Sequence, residues 1–506
     1  MIRMIKKENE MKSSNAIRPL VFALAAVMIL SAAACGGGSG SAPSSTTASD
    51  APGAPAETEP QGPVYLDDLP ADLDFGGMEI RFVSSFESTN IALSEEDDTG
   101  DVVNAALWQR NSEIESRFGL KIKLVEQTGY DHFNKTVTNS ITAGSDDYDV
   151  FCGHTRFNVN LASMHYLINL NGVENLDLSK PYWSKLYNDN VNYKDNYYWI
   201  TGDISNNFIA FIYAMFCNTT MWADYYTDDD IYSVIDSGSW TLDKLSEFSE
   251  GVYTDLNGDG KPGNEDVWGL VMQEGHILNG MSFAAGVVYT SVGDDGRYFV
   301  SVNNEHTINV FNKMHSMFFD HDYCNLMPNA EYDTPALEMF SEGRVLFMPS
   351  TFGTAGNKLT RGMQNDFTII PFPKYDENQE NYRVNQYDGV PIYGIPITVP
   401  ADRTPAIGCA LEAMCSMNSS IVIPAYYEIA LKNKYTRDEK TAKMIDLIHD
   451  SVAVDFSFAW GDTVSGIYEI FYGNIRKDSI ASTLEKSMKR WDKNMTKLMD
   501  ALESEG

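Results

Sequence analysis

At 506 residues the chain is longer than one hydrophobic core usually serves, so two lobes are expected. Its hydrophobic fraction of 43% and aromatic fraction of 12% exclude a disordered chain. A formal charge of −34 excludes nucleic acid and anionic lipid headgroups as main partners, because both would be repelled, and it suits solubility outside the cell. In chain order, Lys12 and Arg18 precede the apolar run Leu20–Leu30, and the small residues Ser31-Ala32-Ala33-Ala34 lead directly to Cys35. That is the three-part build of a secretory signal, with Met11 as the expected start and a run too short to span a bilayer comfortably. Residues 36–64 are mostly Gly, Ser, Thr, Ala and Pro, the composition of a flexible tether. No later segment reaches the ~18 consecutive apolar residues of a spanning helix.

From about residue 66 strand-like and helix-like segments alternate, as in an α/β protein. Met78–Val83 reads as a first strand. Val103, Leu107, Ile114 and Phe118 stand at helical spacing, closed by Gly119 as a C-cap. Lys121–Val125 alternates as a second strand, a helix covers 131–143, and Tyr148–Phe151 reads as a short buried strand. No G-x-G-x-x-G follows a strand and no G-x-x-x-x-G-K-[ST] occurs, so nucleotide binding is unsupported. The six cysteines form no C-x-x-C pair. Without Cys35 an odd number remains, so small buried thiols are expected rather than a disulfide framework, although Cys409 and Cys415 are near enough in sequence to pair.

Asp255-Leu256-Asn257-Gly258-Asp259-Gly260-Lys261-Pro262-Gly263-Asn264-Glu265-Asp266 follows the EF-hand loop pattern. Side chains of Asp255, Asn257 and Asp259, the Lys261 carbonyl and Asp266 are the candidate calcium ligands. Asp at position twelve reaches less far than the usual Glu. The eight histidines include no H-E-x-x-H, and no G-x-S-x-G elbow or nucleophile-like cysteine motif occurs. A glycosidase carboxylate pair remains compatible with the many acidic residues. Trp199, Trp222, Trp240, Trp268 and Trp460 are candidates for sugar stacking, each with core packing as its bland alternative.

Several segments carry a family resemblance. Cys35 after its small residues is similar to the lipobox of bacterial lipoproteins, with Ala32 where Leu is commonest; the resemblance implies a lipid on Cys35 and a chain anchored on the outer face of the membrane. Trp108-Gln109-Arg110-Asn111-Ser112-Glu113-Ile114-Glu115, Leu178–Trp183, Gly238–Leu245, Met339–Phe347 and Phe367–Asp376 stand in the order seen in family 1 extracellular solute-binding proteins, the maltose-binding-protein type. The resemblance continues into the Leu411–Met414 helix.

It implies a type II fold of two α/β lobes closing on a ligand between them. A signal peptide over 1–34 and a tether over 35–65 would precede lobe 1 (66–205 with 375–418) and lobe 2 (206–374 with 419–506), with crossovers near 206, 374 and 418. The implied function is a non-enzymatic, monomeric receptor that hands a mono- or oligosaccharide to an ABC permease. Peptide or polyamine cargo and a surface-anchored glycoside hydrolase are the rivals.

Ligands of doubly wound lobes sit beyond the carboxyl ends of strands. Gly153-His154-Thr155-Arg156-Phe157 is similar to a sugar-contacting His-Asp-Arg-Phe loop of that family, with Arg156 retained and Thr155 in place of Asp. His154, Thr155 and Arg156, then Asp203, Ser205 and Asn206 at the first crossover, and Ser350, Thr351 and Phe352 after the strand Val345–Met348 are the candidate ligand residues. Trp460 is the expected stacking platform.

Overall fold

The computed structural model describes residues 65–92, 101–227, 230–328, 334–427 and 439–504. The secretory run, Cys35 and most of the tether lie outside them. Alternating apolar residues of Met78–Ser84 form β1, whose Ile80, Phe82 and Val83 are fully buried. The Val102–Phe118 helix follows; Asp101 caps its first turn by accepting from the Val103 amide, and Gly119 ends it at φ 60°. Leu120–Gln127 (β2) then pairs parallel to β1. The Tyr130–Ala143 helix leads to β3, Val150–His154, on the other side of β1.

β3 therefore starts two residues later than the sequence pattern suggests. Asp149 is occupied before the strand begins, accepting from Arg81 Nε at 2.9 Å and Arg403 Nε at 2.8 Å. At its other end the strand is extended by pairing with Pro391, so His154, expected in a loop, is the last strand residue. Pro391–Gly394, antiparallel to β3 and named β11 below in chain order, completes a sheet of order β11-β3-β1-β2.

A second sheet takes β4 (Tyr213–Asn218), β5 (Trp268–Gln273), β8 (Cys324–Met327), β9 (Val345–Thr351) and β10 (Phe367–Ile370), in the order β10-β4-β9-β5-β8. A short hairpin joins β6 (Thr290–Val292) to β7 (Tyr298–Val300). The strands of the first sheet thus come from 78–154 and 391–394, and those of the second from 213–370. Thr241 caps the Leu242–Glu250 helix by accepting from the Lys244 amide, with Asp243 in the first turn, as its sequence suggests.

The five cysteines after residue 35 are free and buried, Cys409 and Cys415 included. One continuous helix, Thr404–Tyr427, has the length and composition of a membrane span, which the sequence reading did not single out. Its most apolar window is 78% buried inside the protein, which marks it as a core helix. Its turn Asn418–Val422 is π-helical.

Candidate functional site

The carboxyl ends of β1, β2 and β3 each deliver an aromatic ring to one place: Phe86 past β1, Tyr130 past β2, and His154 with Phe157 at β3. Ring centroids lie 5.4 Å apart for Phe86–Tyr130, 5.2 Å for Tyr130–His154 and 4.7 Å for His154–Phe157. Two rings from outside the first sheet join them. Phe211, just before β4, stacks on Phe86 at 6.3 Å, and Tyr387 meets His154 at 5.9 Å. Tyr130 is 46% exposed and Phe157 39%, so both present ring surface to solvent. His154 is buried, and that burial pulls it down to about 4, which keeps the imidazole neutral at physiological pH.

Beside the rings stands a charged cluster built around Arg156. Its Nε donates to Asp462 at 2.9 Å, Nη2 to Glu469 at 2.5 Å, and Nη1 to His276 Nε2 at 2.8 Å and Asp388 at 3.3 Å. Burial works against the guanidinium charge, but Asp388, Asp462 and Glu469 outweigh it and hold Arg156 above its ordinary range. These partners come from the start of the His276–Ala284 helix, the segment before β11, the turn just after the Phe456–Trp460 helix (Asp462) and the end of the short 3-10 helix Ile467–Glu469. Arg156 therefore ties the β3 loop to distant parts of the chain. A hydroxyl-bearing ligand entering here would find carboxylate acceptors and guanidinium donors beside aromatic faces.

The other residues expected at the site divide. Thr155 is fully buried and donates from Oγ1 to the Val390 carbonyl at 2.5 Å. Ser205 is fully buried and donates to Glu87 at 2.7 Å, while the Asn206 amide donates to Asn90 Oδ1 at 3.4 Å. Asp203 is pushed up to about 6 by burial and is hydrogen-bonded to Ser419. The Ser205 and Asp203 side chains are thus occupied by the fold, whereas the buried Asn206 Oδ1 has no hydrogen-bond partner. Ser350 shares a hydrogen bond with Thr354 at 2.6 Å and lines a small cavity with Gln273, Ile277, Met348 and Asn357; Thr351 is half-buried and Phe352 fully buried.

Trp460 requires a correction. It is fully buried, parallel to Phe456 at 5.7 Å, and its Nε1 donates to the Val191 carbonyl at 3.0 Å. With no exposed face it packs the core and offers no platform. Trp199, Trp222, Trp240 and Trp268 are buried as well. The clustered aromatics with exposed ring surface are Tyr and Phe, and the signal that finds them is position: each of Phe86, Tyr130 and Phe157 follows a strand of the first sheet by two or three residues.

In the 255–266 loop, Asp255 accepts from the Gly258 and Gly260 amides at 2.7 and 2.8 Å, Asn257 from Asp259 at 2.8 Å, and Asp259 from Lys261 at 2.8 Å. Asp266 is buried and accepts from the Leu256 and Gly263 amides. Among the described residues no group of three or more His, Cys, Asp or Glu is placed to hold a metal ion. The calcium expectation rests on spacing alone.

A profile of the family described as bacterial extracellular solute-binding protein matches residues 110–408. No curated protein sequence matches the chain. Among solved structures, the cyclic alpha-maltosyl-1,6-maltose binding protein of Arthrobacter globiformis is similar at 12% identity and TM-score 0.57, covering 83% of this chain and 100% of its own. The maltose/maltodextrin-binding domain of Bdellovibrio bacteriovorus, bound to maltotriose, gives TM-score 0.54 at 12% identity with the same coverages. UspC of M. tuberculosis gives 0.53 at 14%, covering 82% of this chain and 100% of its own. At such identities the likeness shows a shared two-lobed fold.

Proposed function

Because the chain belongs to the bacterial extracellular solute-binding proteins, an exported family of binding proteins, we propose that it captures a mono- or oligosaccharide and delivers it to the permease of an ABC importer. The observation that carries the carbohydrate assignment is the ring cluster at the ends of β1, β2 and β3, with Tyr130 and Phe157 exposed beside the Arg156 carboxylate network. Sugar rings present an apolar face for stacking and a rim of hydroxyls for charged donors and acceptors. Two structural neighbours, the maltotriose-bound maltose/maltodextrin-binding domain and the cyclic alpha-maltosyl-1,6-maltose binding protein, support the same class.

The test is a thermal-shift panel with maltotriose and other neutral saccharides, spermidine and short peptides, followed by calorimetry on each hit. A saccharide should raise the melting temperature by mass action. Stabilisation by spermidine or peptides alone would overturn the carbohydrate reading, and new reducing ends from an oligosaccharide would overturn the receptor reading.

The same proposal places the protein on the outer membrane face through a lipid at Cys35, supported by the small-residue run before it and the tether after it. Mass spectrometry of the membrane fraction should find diacylglyceryl-modified Cys35 at the mature N-terminus. Freely secreted protein cleaved elsewhere would refute the anchor.

A further inference from the structure

Three carboxylates, Asp388, Asp462 and Glu469, surround the single guanidinium of Arg156. The two imidazoles beside it add no compensating charge. Burial keeps His154 neutral, and His276 Nε2, 2.8 Å from Arg156, must accept, because a guanidinium has no acceptor atom. The cluster therefore holds two more negative charges than positive ones. In a partly desolvated place such an excess costs free energy unless a cation or further donors meet it.

The atoms left over say what would meet it. Asp462 and Glu469 each give one oxygen to Arg156, and their side chains stay 37% and 33% exposed, so Oδ1 and Oε2 are left for a donor from solvent. The Asp388 side chain is 1% exposed; Oδ2 meets Arg156 and His276, while Oδ1 has no hydrogen-bond partner. Asn385 Oδ1 is buried without a partner as well, and its Nδ2 donates to the hydroxyl of Tyr468, the chain neighbour of Glu469. Each of these oxygens can only accept. Aromatic surface adjoins the same charges. The Arg156 guanidinium lies over the Phe157 ring at 5.2 Å, so one cation already rests on that ring, and Tyr130 and Phe157 keep ring surface exposed.

We infer that the saccharide taken here is an amino sugar, its ring face covering Tyr130 and Phe157 and its ammonium donating to Asp462 and Glu469. This rests on the carbohydrate reading proposed above and narrows it. A sugar hydroxyl brings one donor and no charge. A protonated amine brings three donors and a positive charge, which suits an acceptor set with negative charge to spare. An N-acetyl group removes that charge and leaves a single N–H, and a uronic acid adds a like charge, so both are disfavoured. A linear polyamine supplies charge but no flat apolar face for the two rings.

The test is calorimetry on the full chain at about pH 7 with glucosamine, galactosamine and the chitosan trisaccharide, each beside its N-acetylated counterpart, and with maltotriose and spermidine. The amine form should bind about tenfold tighter than its N-acetylated counterpart, and the advantage should shrink as salt is raised. Glu469→Gln keeps the side chain's shape and removes its charge; it should narrow the ratio between the two forms about fivefold, and any general damage to the site cancels in that ratio. An unchanged ratio would remove the ammonium from Glu469 and overturn the inference. Equal or tighter binding of the N-acetylated forms, or of maltotriose with no amino sugar bound, overturns it too and leaves the carbohydrate reading standing. Binding of spermidine with no saccharide bound overturns both. Should Glu469→Gln fail to fold, the wild-type ratio decides alone.

Discussion

Trp460→Ala is expected to lower the free energy of unfolding by about 3–5 kcal/mol, the range for deleting a buried Trp or Phe from a packed core. The indole is fully buried, lies parallel to Phe456 at 18°, and joins the Phe456–Trp460 helix to the Lys185–Val191 helix through its bond to the Val191 carbonyl. Truncation removes that packing and leaves a buried acceptor without its donor. Both effects act on the fold before any ligand arrives. Urea unfolding followed by circular dichroism measures the loss, and Trp460→Phe, which keeps most of the ring, should cost less. A loss under about 1 kcal/mol, coupled to a fall in ligand affinity, would return Trp460 to the cleft.

The reason the sequence points to Trp460 is instructive. Residue type says that an indole can stack on a sugar, but whether it does depends on which helix covers it. For Trp460 that cover is the Lys185–Val191 helix, some 270 positions earlier, which no local pattern reveals. Arg156 shows the same limit from the other side. Its place beyond β3 follows from strand pattern and from the resemblance, whereas its partners Asp462 and Glu469 lie about 300 residues away. Local features were far more legible. Alternation in Met78–Ser84, the Gly119 C-cap and the Thr241 N-cap each rest on neighbours within a few residues, and each stands where its pattern puts it. The β3 boundary differs by two residues, and Asp149 just before it is bound by Arg403, again a distant residue. The general rule that ligands gather beyond carboxyl ends of strands, extended from β3 to β1 and β2, reaches Phe86 and Tyr130.

That extension leads to the double substitution Tyr130→Ala with Phe157→Ala, which should weaken saccharide binding about a hundredfold while leaving the melting temperature nearly unchanged. Each ring that becomes covered by a sugar contributes about 1–3 kcal/mol through buried apolar area and stacking. Two such losses together give a factor of that order or more. Stability should hold because both side chains are among the exposed aromatics, and removing exposed surface opens no core cavity. The rings also touch one another at a 6.5 Å centroid separation, so the two single variants are expected to be non-additive. Tyr130→Phe separates the ring from its hydroxyl: near-wild-type affinity there assigns the effect to stacking. Calorimetry with the saccharide giving the largest thermal shift provides the measurement. If the double variant melts as wild type does and binds that saccharide equally well, the ring cluster is not the binding surface, and the cavity behind Ser350 at the end of β9 becomes the place to look.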